Sequence, residues 1–327
     1  MRRRRDLIIL LGGAAAWPLA ARVQQPAMPV IGYLTTGSPE SDALPLAAFR
    51  QGLSETGYVE TRNVTIQYRW AEFQYDQLPA MAADLVRRPV NAIATIGGTP
   101  PALAAKAATS TIPVVFYVGV DPVKFGLVAS LSRPGGNMTG VAGLQTDLVT
   151  KRVELLHELV PKAAVVALLV NPTNPYTESE TRAVSDSARL LGLQVHVLRA
   201  STMSEIDAAF GTLTELQADA LLVSGDLFHL SRRKQLVALA AHHAVPAIYP
   251  YREFVEVGGM ACYAPSLADG FRIVGVYTGR ILKGANPSDL PVQQVVRVEV
   301  IINLKTIRAL GLTVPLPLLG RADEVIE

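Results

Sequence analysis

The sequence predicts an α/β fold: two similar lobes with parallel central sheets, joined by a hinge that the chain crosses three times. Three observations carry this expectation. Short apolar runs alternate with amphipathic stretches from residue 30 onward, as strands linked by right-handed helical crossovers require. The pattern comes twice, about 130 residues apart: VIGYLTT at 30–36 is matched by VVALLV at 165–170, and NAIATIGGTPPALAAK at 91–106 by DALLVSGDLFHLSRRK at 219–234. Half of the residues are apolar, yet past Ala21 no apolar run is long enough to span a bilayer. Short strands buried on both faces account for that content.

Taken in order, the first half offers strands at 30–36, 64–69, 92–96, 114–118 and 138–144. Amphipathic helices lie between them: 43–56 stops at Gly57, 75–87 stops before Pro89, and 101–108 ends before Pro113. The second half repeats the scheme. Helix 150–159 leads into strand 165–170, helix 178–191 stops at Gly192 and leads into 194–198, and helix 204–216 precedes strand 220–224. Helix 230–242 and strand 247–249 follow, where Val245-Pro246-Ala247-Ile248-Tyr249 echoes Ile112-Pro113-Val114-Val115-Phe116. After Gly258-Gly259 come strand 260–263, helix 269–282, a polar break KGANPSD, strand 295–301 and a short helix near 304–310. Two simple tandem domains do not need these last elements. The helix at 269–282 is expected to return to the first lobe and the strand at 295–301 to the second. The lobes are then 28–144 with 264–290, and 145–263 with 291–327.

The first 23 residues read as a signal peptide. Arg2-Arg3-Arg4-Arg5 form a basic start, an apolar stretch of 15 residues runs from Leu7 to Ala21, and small residues follow Pro18. Cleavage is expected after Ala21 or Val23, and Arg4-Arg5 fits a twin-arginine or a general secretory signal. Removing the five Arg and one Asp of residues 1–23 from 30 basic and 28 acidic residues leaves 25 and 27, a net charge of −2. A basic nucleic-acid binder is thereby excluded. Cys262 is the only cysteine, so no internal disulfide forms, and no cysteine near the cleavage point could carry a lipid anchor.

One local pattern recurs past the strands: a capping residue followed by proline, at Ser38-Pro39, Thr99-Pro100, Asp121-Pro122 and Asn174-Pro175. Ser, Thr, Asp and Asn favour helix N-caps, and proline favours the first helical position. Each pair is expected to start a helix at the carboxyl edge of a sheet, where open α/β sheets bind ligands. Thr36 and Asn171 sit on the same rim. Gly97-Gly98-Thr99 allows close approach of backbone, and its repeat is Ser224-Gly225-Asp226. Asp226 reads either as the acceptor of an ammonium group or as a helix cap. Tyr117, Tyr176, Tyr249, Tyr251 and Tyr263 fall near the rim and read either as aromatic walls or as packing. Catalytic patterns are absent from the sequence: no metal-ligand spacing of histidines, no Gly-x-Ser-x-Gly, and no phosphate-binding glycine loop.

The chain resembles the periplasmic substrate-binding proteins of ABC importers, and more narrowly the family related to tryptophan and tyrosine uptake. The resemblance runs over essentially the whole chain. It is carried by the leader, by VIGYLTTGSPES, FRQGLSETGYVE and IATIGGTPPALAAK, by DPVKFGLVASLSRPGGNMTGV and KRVELLHELVPKAAVVALLVNPTNP, and by the tail LKTIRALGLTVPLPLLGRADEVIE. It implies two Rossmann-like lobes of the type I periplasmic binding protein kind and a ligand held in the cleft. It also implies delivery to an inner-membrane permease with its cytoplasmic ATPase.

The expectation is a periplasmic, monomeric, non-enzymatic receptor without cofactor, for an aromatic or branched amino acid or an aromatic carboxylic acid. Thr99 and backbone N–H groups would hold the carboxylate, Asp226 an amine, and Tyr117, Tyr249 and Tyr263 the apolar part. Ser38 with Asn171 or Asn174 would close from facing rims. The alternatives are the effector domain of a regulator, which would need a helix-turn-helix where the leader stands, and an enzyme using Asp226 or His229.

Overall fold

The computed structural model describes residues 28–143, 145–295 and 297–327. The expected signal peptide and its cleavage point lie outside the described residues. Strands β1 (Val30–Thr35), β2 (Thr65–Trp70), β3 (Ala92–Ile96), β4 (Val114–Val118) and β5 (Met138–Ala142) come first. Strands β6 (Val165–Val170), β7 (Gln194–Arg199), β8 (Ala220–Val223), β9 (Ala247–Tyr249) and β10 (Ala261–Pro265) follow, and β11 (Gln293–Gln294), β12 (Val298–Asn303) and β13 (Glu324–Ile326) end the chain.

They form two sheets, ordered β11-β5-β4-β3-β1-β2 and β13-β12-β10-β9-β8-β6-β7. Five consecutive strands of each half therefore repeat one order, with the first strand between the second and the third. Pairing is parallel except between β10 and β12. Full burial on both faces explains why β3 and β4 are continuous apolar runs.

Helices α1 (Ala43–Glu55), α2 (Leu78–Val86) and α3 (Thr99–Ala108) belong to the first lobe. The crossing chain then enters α4 (Gln145–Leu159), α5 (Thr177–Leu190), α6 (Met203–Glu215), α7 (Leu227–Ser231), α8 (Arg233–His242) and α9 (Arg252–Val255). Next comes α10 (Leu267–Leu282), then α11 (Leu304–Ala309) and α12 (Leu316–Leu319). Helix α10 packs on α1, β3, β4 and β5 of the first sheet. Small residues make that packing close: a Cβ on Gly52 would lie 1.9 Å from the Arg272 carbonyl oxygen, and one on Gly275 2.1 Å from that of Phe49.

Strand pairing shifts the expected lobe boundaries. Ala264 and Pro265 pair with β12 in the second sheet, whereas Gln293 and Gln294 pair with β5 in the first. The second crossing thus falls at Ser266 and the third near 295–297. The Ser266 N–H donates to the Arg297 carbonyl and ties these two crossings, and the Val295 N–H donates to the Ala142 carbonyl at the end of β5. In the apolar run read as a strand from 295, Val295 still bonds to the first lobe, and pairing in the second sheet begins at Val298.

Candidate functional site

The two sheets turn their carboxyl edges toward each other. At the first sheet's reversal of strand order, between β1 and β3, the Thr36 hydroxyl donates to the Gly97 carbonyl at 3.0 Å. Gly97 and Gly98 have φ of 101° and 91°, and a Cβ on Gly97 would sit 2.4 Å from the Thr36 oxygen. Glycine is the residue this turn requires. Gly98, not Thr99, is the N-cap of α3, and Thr99 is its first helical residue. Pro100 and Pro101 have no N–H, so this helix start offers fewer free donors than usual.

The other three cap-proline pairs also depart from expectation. Helix α1 starts at Ala43 behind Asp42, α5 starts at Thr177 behind Tyr176, and a turn without α-helix follows Asp121. A residue before proline avoids the helical region, so the side chain closes a local turn instead. Asp121 Oδ1 accepts from Val123 N–H at 2.9 Å, and Asn174 Oδ1 from Tyr176 N–H at 3.1 Å. The Ser38 hydroxyl accepts from Ser41 N–H and donates to Glu40. None of these three is an N-cap.

A narrow cavity of about 20 Å³, room for about one water, lies between the lobes. From the first lobe Gly97, Gly98, Thr99, Tyr117 and Gly119 line it; Asn174, Tyr176, Gly225, Leu227 and Tyr251 line it from the second. Six of these were expected. Tyr117 is buried, its ring fixed 4.8 Å from Phe271, and its hydroxyl has no hydrogen-bond partner among the described residues. The buried Tyr176 ring crosses the cleft to join the apolar cluster of the first lobe.

Two expected walls lie elsewhere. Tyr249 stacks on Phe254 at 4.7 Å inside the core of the second lobe, and Tyr263 packs against the opposite apolar layer. A strand's last residue still alternates between faces, so Tyr249 points into the helix layer rather than over the edge. Tyr251, two residues on, reaches the cavity.

Asp226 is the N-cap of α7, accepting from Phe228 N–H at 2.8 Å. Asn171 donates to it at 3.2 Å and Asn174 at 2.6 Å. Across the cleft the Tyr75 hydroxyl donates to it at 3.2 Å. The carboxylate is therefore engaged on both oxygens. His229 is buried between the Ser224 hydroxyl and the Ala200 carbonyl, and burial lowers its pKa, which leaves it neutral and structural. Burial pushes Glu180 up to about 7, opposed by the charge of Arg152 and by the Gly225 N–H it accepts. Asp42 is pushed up to about 6 by burial. Cys262 is buried as expected, its thiol pushed up to about 12. Among the described residues no group of His, Cys, Asp and Glu is arranged to hold a metal ion.

Sequence reasoning missed Tyr75, Phe73 and Glu180. The aromatics lie in AEFQYDQ, which reads as a polar loop running into a helix; two aromatic residues in such a loop were the available signal. Glu180 sits on a helix whose pattern marks it as solvent-facing, and only the tertiary fold buries it.

Residues 40–326 match the family described as ABC transporter substrate binding protein. The chain belongs to this family. Its fold is that of the type I periplasmic binding proteins, and the family is one of solute-binding proteins. A curated relative, the tyrosine-binding protein of Clostridioides difficile strain R20291, is 28% identical over 264 residues, covering 81% of this chain and 75% of the relative. The crystal structure of the ABC domain in complex with L-Trp from Streptococcus pneumonia is 28% identical, with a TM-score of 0.81 over 91% of this chain and 99% of that one. The ligand-free, open structure of a substrate binding protein with adhesive properties from Clostridium difficile is 25% identical over the same shares, with a TM-score of 0.64. This family member thus superposes better on the tryptophan complex than on the open form. Among the described residues no helix is long and apolar enough to cross a membrane.

Proposed function

We propose that this protein is the exported receptor of an ABC importer, working in the periplasm. It captures an aromatic or branched amino acid, or an aromatic carboxylic acid, between its lobes. It then hands the ligand unchanged to an inner-membrane permease driven by a cytoplasmic ATPase. The observation that carries the reading is the pair of facing rims: Tyr117, Tyr176 and Tyr251 and the Gly97-Gly98-Thr99 turn line a narrow gap between the lobes, which hinge opening would widen for a guest. Phenol rings offer an apolar face and a polar tip, which suits an amphipathic solute. The better superposition on the tryptophan complex than on the open form supports two lobes that open and close.

Magnitudes agree. Burying an aromatic side chain of about 150–250 Å² at about 25 cal/mol/Å² contributes roughly 4–6 kcal/mol. Two charge-assisted hydrogen bonds add about 3–6 kcal/mol before ordering costs, which leaves room for micromolar affinity near 8 kcal/mol.

A thermal-shift screen tests this. At 1 mM ligand and micromolar affinity, binding stabilises the folded state by about 4 kcal/mol. L-tryptophan, L-tyrosine, L-phenylalanine or L-leucine should raise the melting temperature by several degrees. A shift with glucose or ribose, and none with the amino acids, would show the ligand class to be wrong.

A further inference from the structure

Resting on the proposed capture of a guest between the lobes, we infer that Gly143 and Gly270 are positioning residues: together they make the seat that fixes the Tyr117 ring beside the ligand gap. Tyr117 is buried at the gap, and its hydroxyl has no hydrogen-bond partner among the described residues. Other buried phenols are paired within the protein: Tyr33 donates to Asp42, and Tyr277 to the Pro291 carbonyl. Buried polar atoms are nearly always paired, so the Tyr117 hydroxyl is placed to meet a polar group of the guest.

Two glycines crowd this ring, each next to a hinge crossing. Gly143 lies between β5 and α4, where the chain first leaves the first lobe. A Cβ there would sit 2.6 Å from the Tyr117 phenol oxygen. Gly270 lies early in α10, just past the second crossing. A Cβ there would sit 2.4 Å from the ring carbon Cε2 and 2.9 Å from Cδ2. Neither glycine has a left-handed φ, so neither serves a turn. Within a helix glycine is also a poorer choice than alanine, so what Gly270 supplies is space. Gly275 and Gly279 on the same helix meet Phe49 and Thr56; of the three, Gly270 alone meets a residue that lines the gap.

The seat leaves the ring one way to move. The Gly143 N–H donates to the Val118 carbonyl at 2.7 Å, which ties that backbone beside Tyr117. Helix α10 is held against β3, β4 and β5, and the Phe271 ring stands 4.8 Å from that of Tyr117. A methyl group on either glycine therefore pushes the phenol into the gap, which has room for about one water. A ring displaced there takes space that the guest needs and loses its aim on the guest's polar group.

The test is calorimetric titration with L-tryptophan of the wild-type chain, of G143A, G270A and Y117F, and of the double variants G143A/Y117F and G270A/Y117F. G143A and G270A should each weaken binding about 10- to 100-fold, the range of an overpacked contact. The Gly143 clash is with the phenol oxygen, so G143A/Y117F should bind within about threefold of Y117F. The Gly270 clash is with ring carbons, so G270A/Y117F should stay about tenfold or more weaker than Y117F. Packing unconnected with the guest would lower the melting temperature of G143A and G270A and leave their affinity within about twofold of wild type; that result overturns the inference while capture stands. A failure of Y117F to relieve G143A overturns it as well. If the wild-type chain gives no saturable heat, the capture reading falls and the inference with it. Should G143A fail to fold by circular dichroism, the G270A pair is read alone: weakening that Y117F does not relieve supports the inference, and affinity that is unchanged, or restored by Y117F, overturns it.

Discussion

At the residue scale, the cleft is shaped by groups whose burial sets their chemistry. Glu180 shows this most plainly. Its folded pKa of about 7 lies above the ordinary 4.5, so the folded state holds the proton more tightly than the unfolded one. Its contribution to stability is therefore full below pH 4.5 and is lost as pH rises through about 7, a change of order 3 kcal/mol. Glu180→Gln keeps an oxygen for the Gly225 N–H and removes the titration. Urea unfolding at pH 5 and pH 8 should show wild type losing stability relative to E180Q over that interval. Parallel pH profiles for the two proteins would contradict the buried, proton-holding carboxyl. Which residues reach the cleft was only partly legible. Gly97-Gly98-Thr99, Tyr117, Asn174 and Tyr176 announced themselves by glycine turns, strand ends and proline neighbours. Tyr249 and Tyr263 misled because strand alternation, not nearness to an edge, sets where a ring points.

At the element scale, the segment between β2 and α2 links the lobes. Glu72 and Phe73 have φ of 49° and 64°, a conformation that turns the chain toward the second lobe. The Phe73 ring meets Phe228 at 5.8 Å, and the Tyr75 hydroxyl reaches the Asp226 carboxylate at 3.2 Å. A hydrogen bond to a charged group contributes about 1.5–3 kcal/mol. Tyr75→Phe should therefore favour the open arrangement. Stopped-flow fluorescence should show ligand dissociation about tenfold faster and association changed less, since contact loss acts mainly on dissociation. Unchanged dissociation would mean that the contact does not hold the lobes together.

Element positions were read well where strands are buried on both faces; 92–96, 114–118, 165–170 and 247–249 agree end for end. The exposed pair Gln293–Gln294 and the short terminal strand Glu324–Ile326 escaped, because neither carries an apolar run. The expected helix 230–242 breaks at Arg232 without a Gly or Pro to signal it.

At the scale of the whole molecule, repetition of sequence becomes repetition of strand order. Both sheets place their first strand between the second and third, so both present a reversal point at the carboxyl edge, where α/β folds bind ligands. The three crossings were legible because an extra helix and strand had nowhere to go in a simple tandem arrangement. The exact crossing points were not, since pairing across the hinge depends on partners distant in sequence. Facing edges, a phenol-walled cavity and a returning α10 together describe a two-shell trap. Titration calorimetry with L-tryptophan is its most direct test. One saturable site per chain, near micromolar and with a negative heat-capacity change from apolar burial, is the expected result. No saturable heat with any aromatic or branched amino acid up to millimolar concentration would contradict the account.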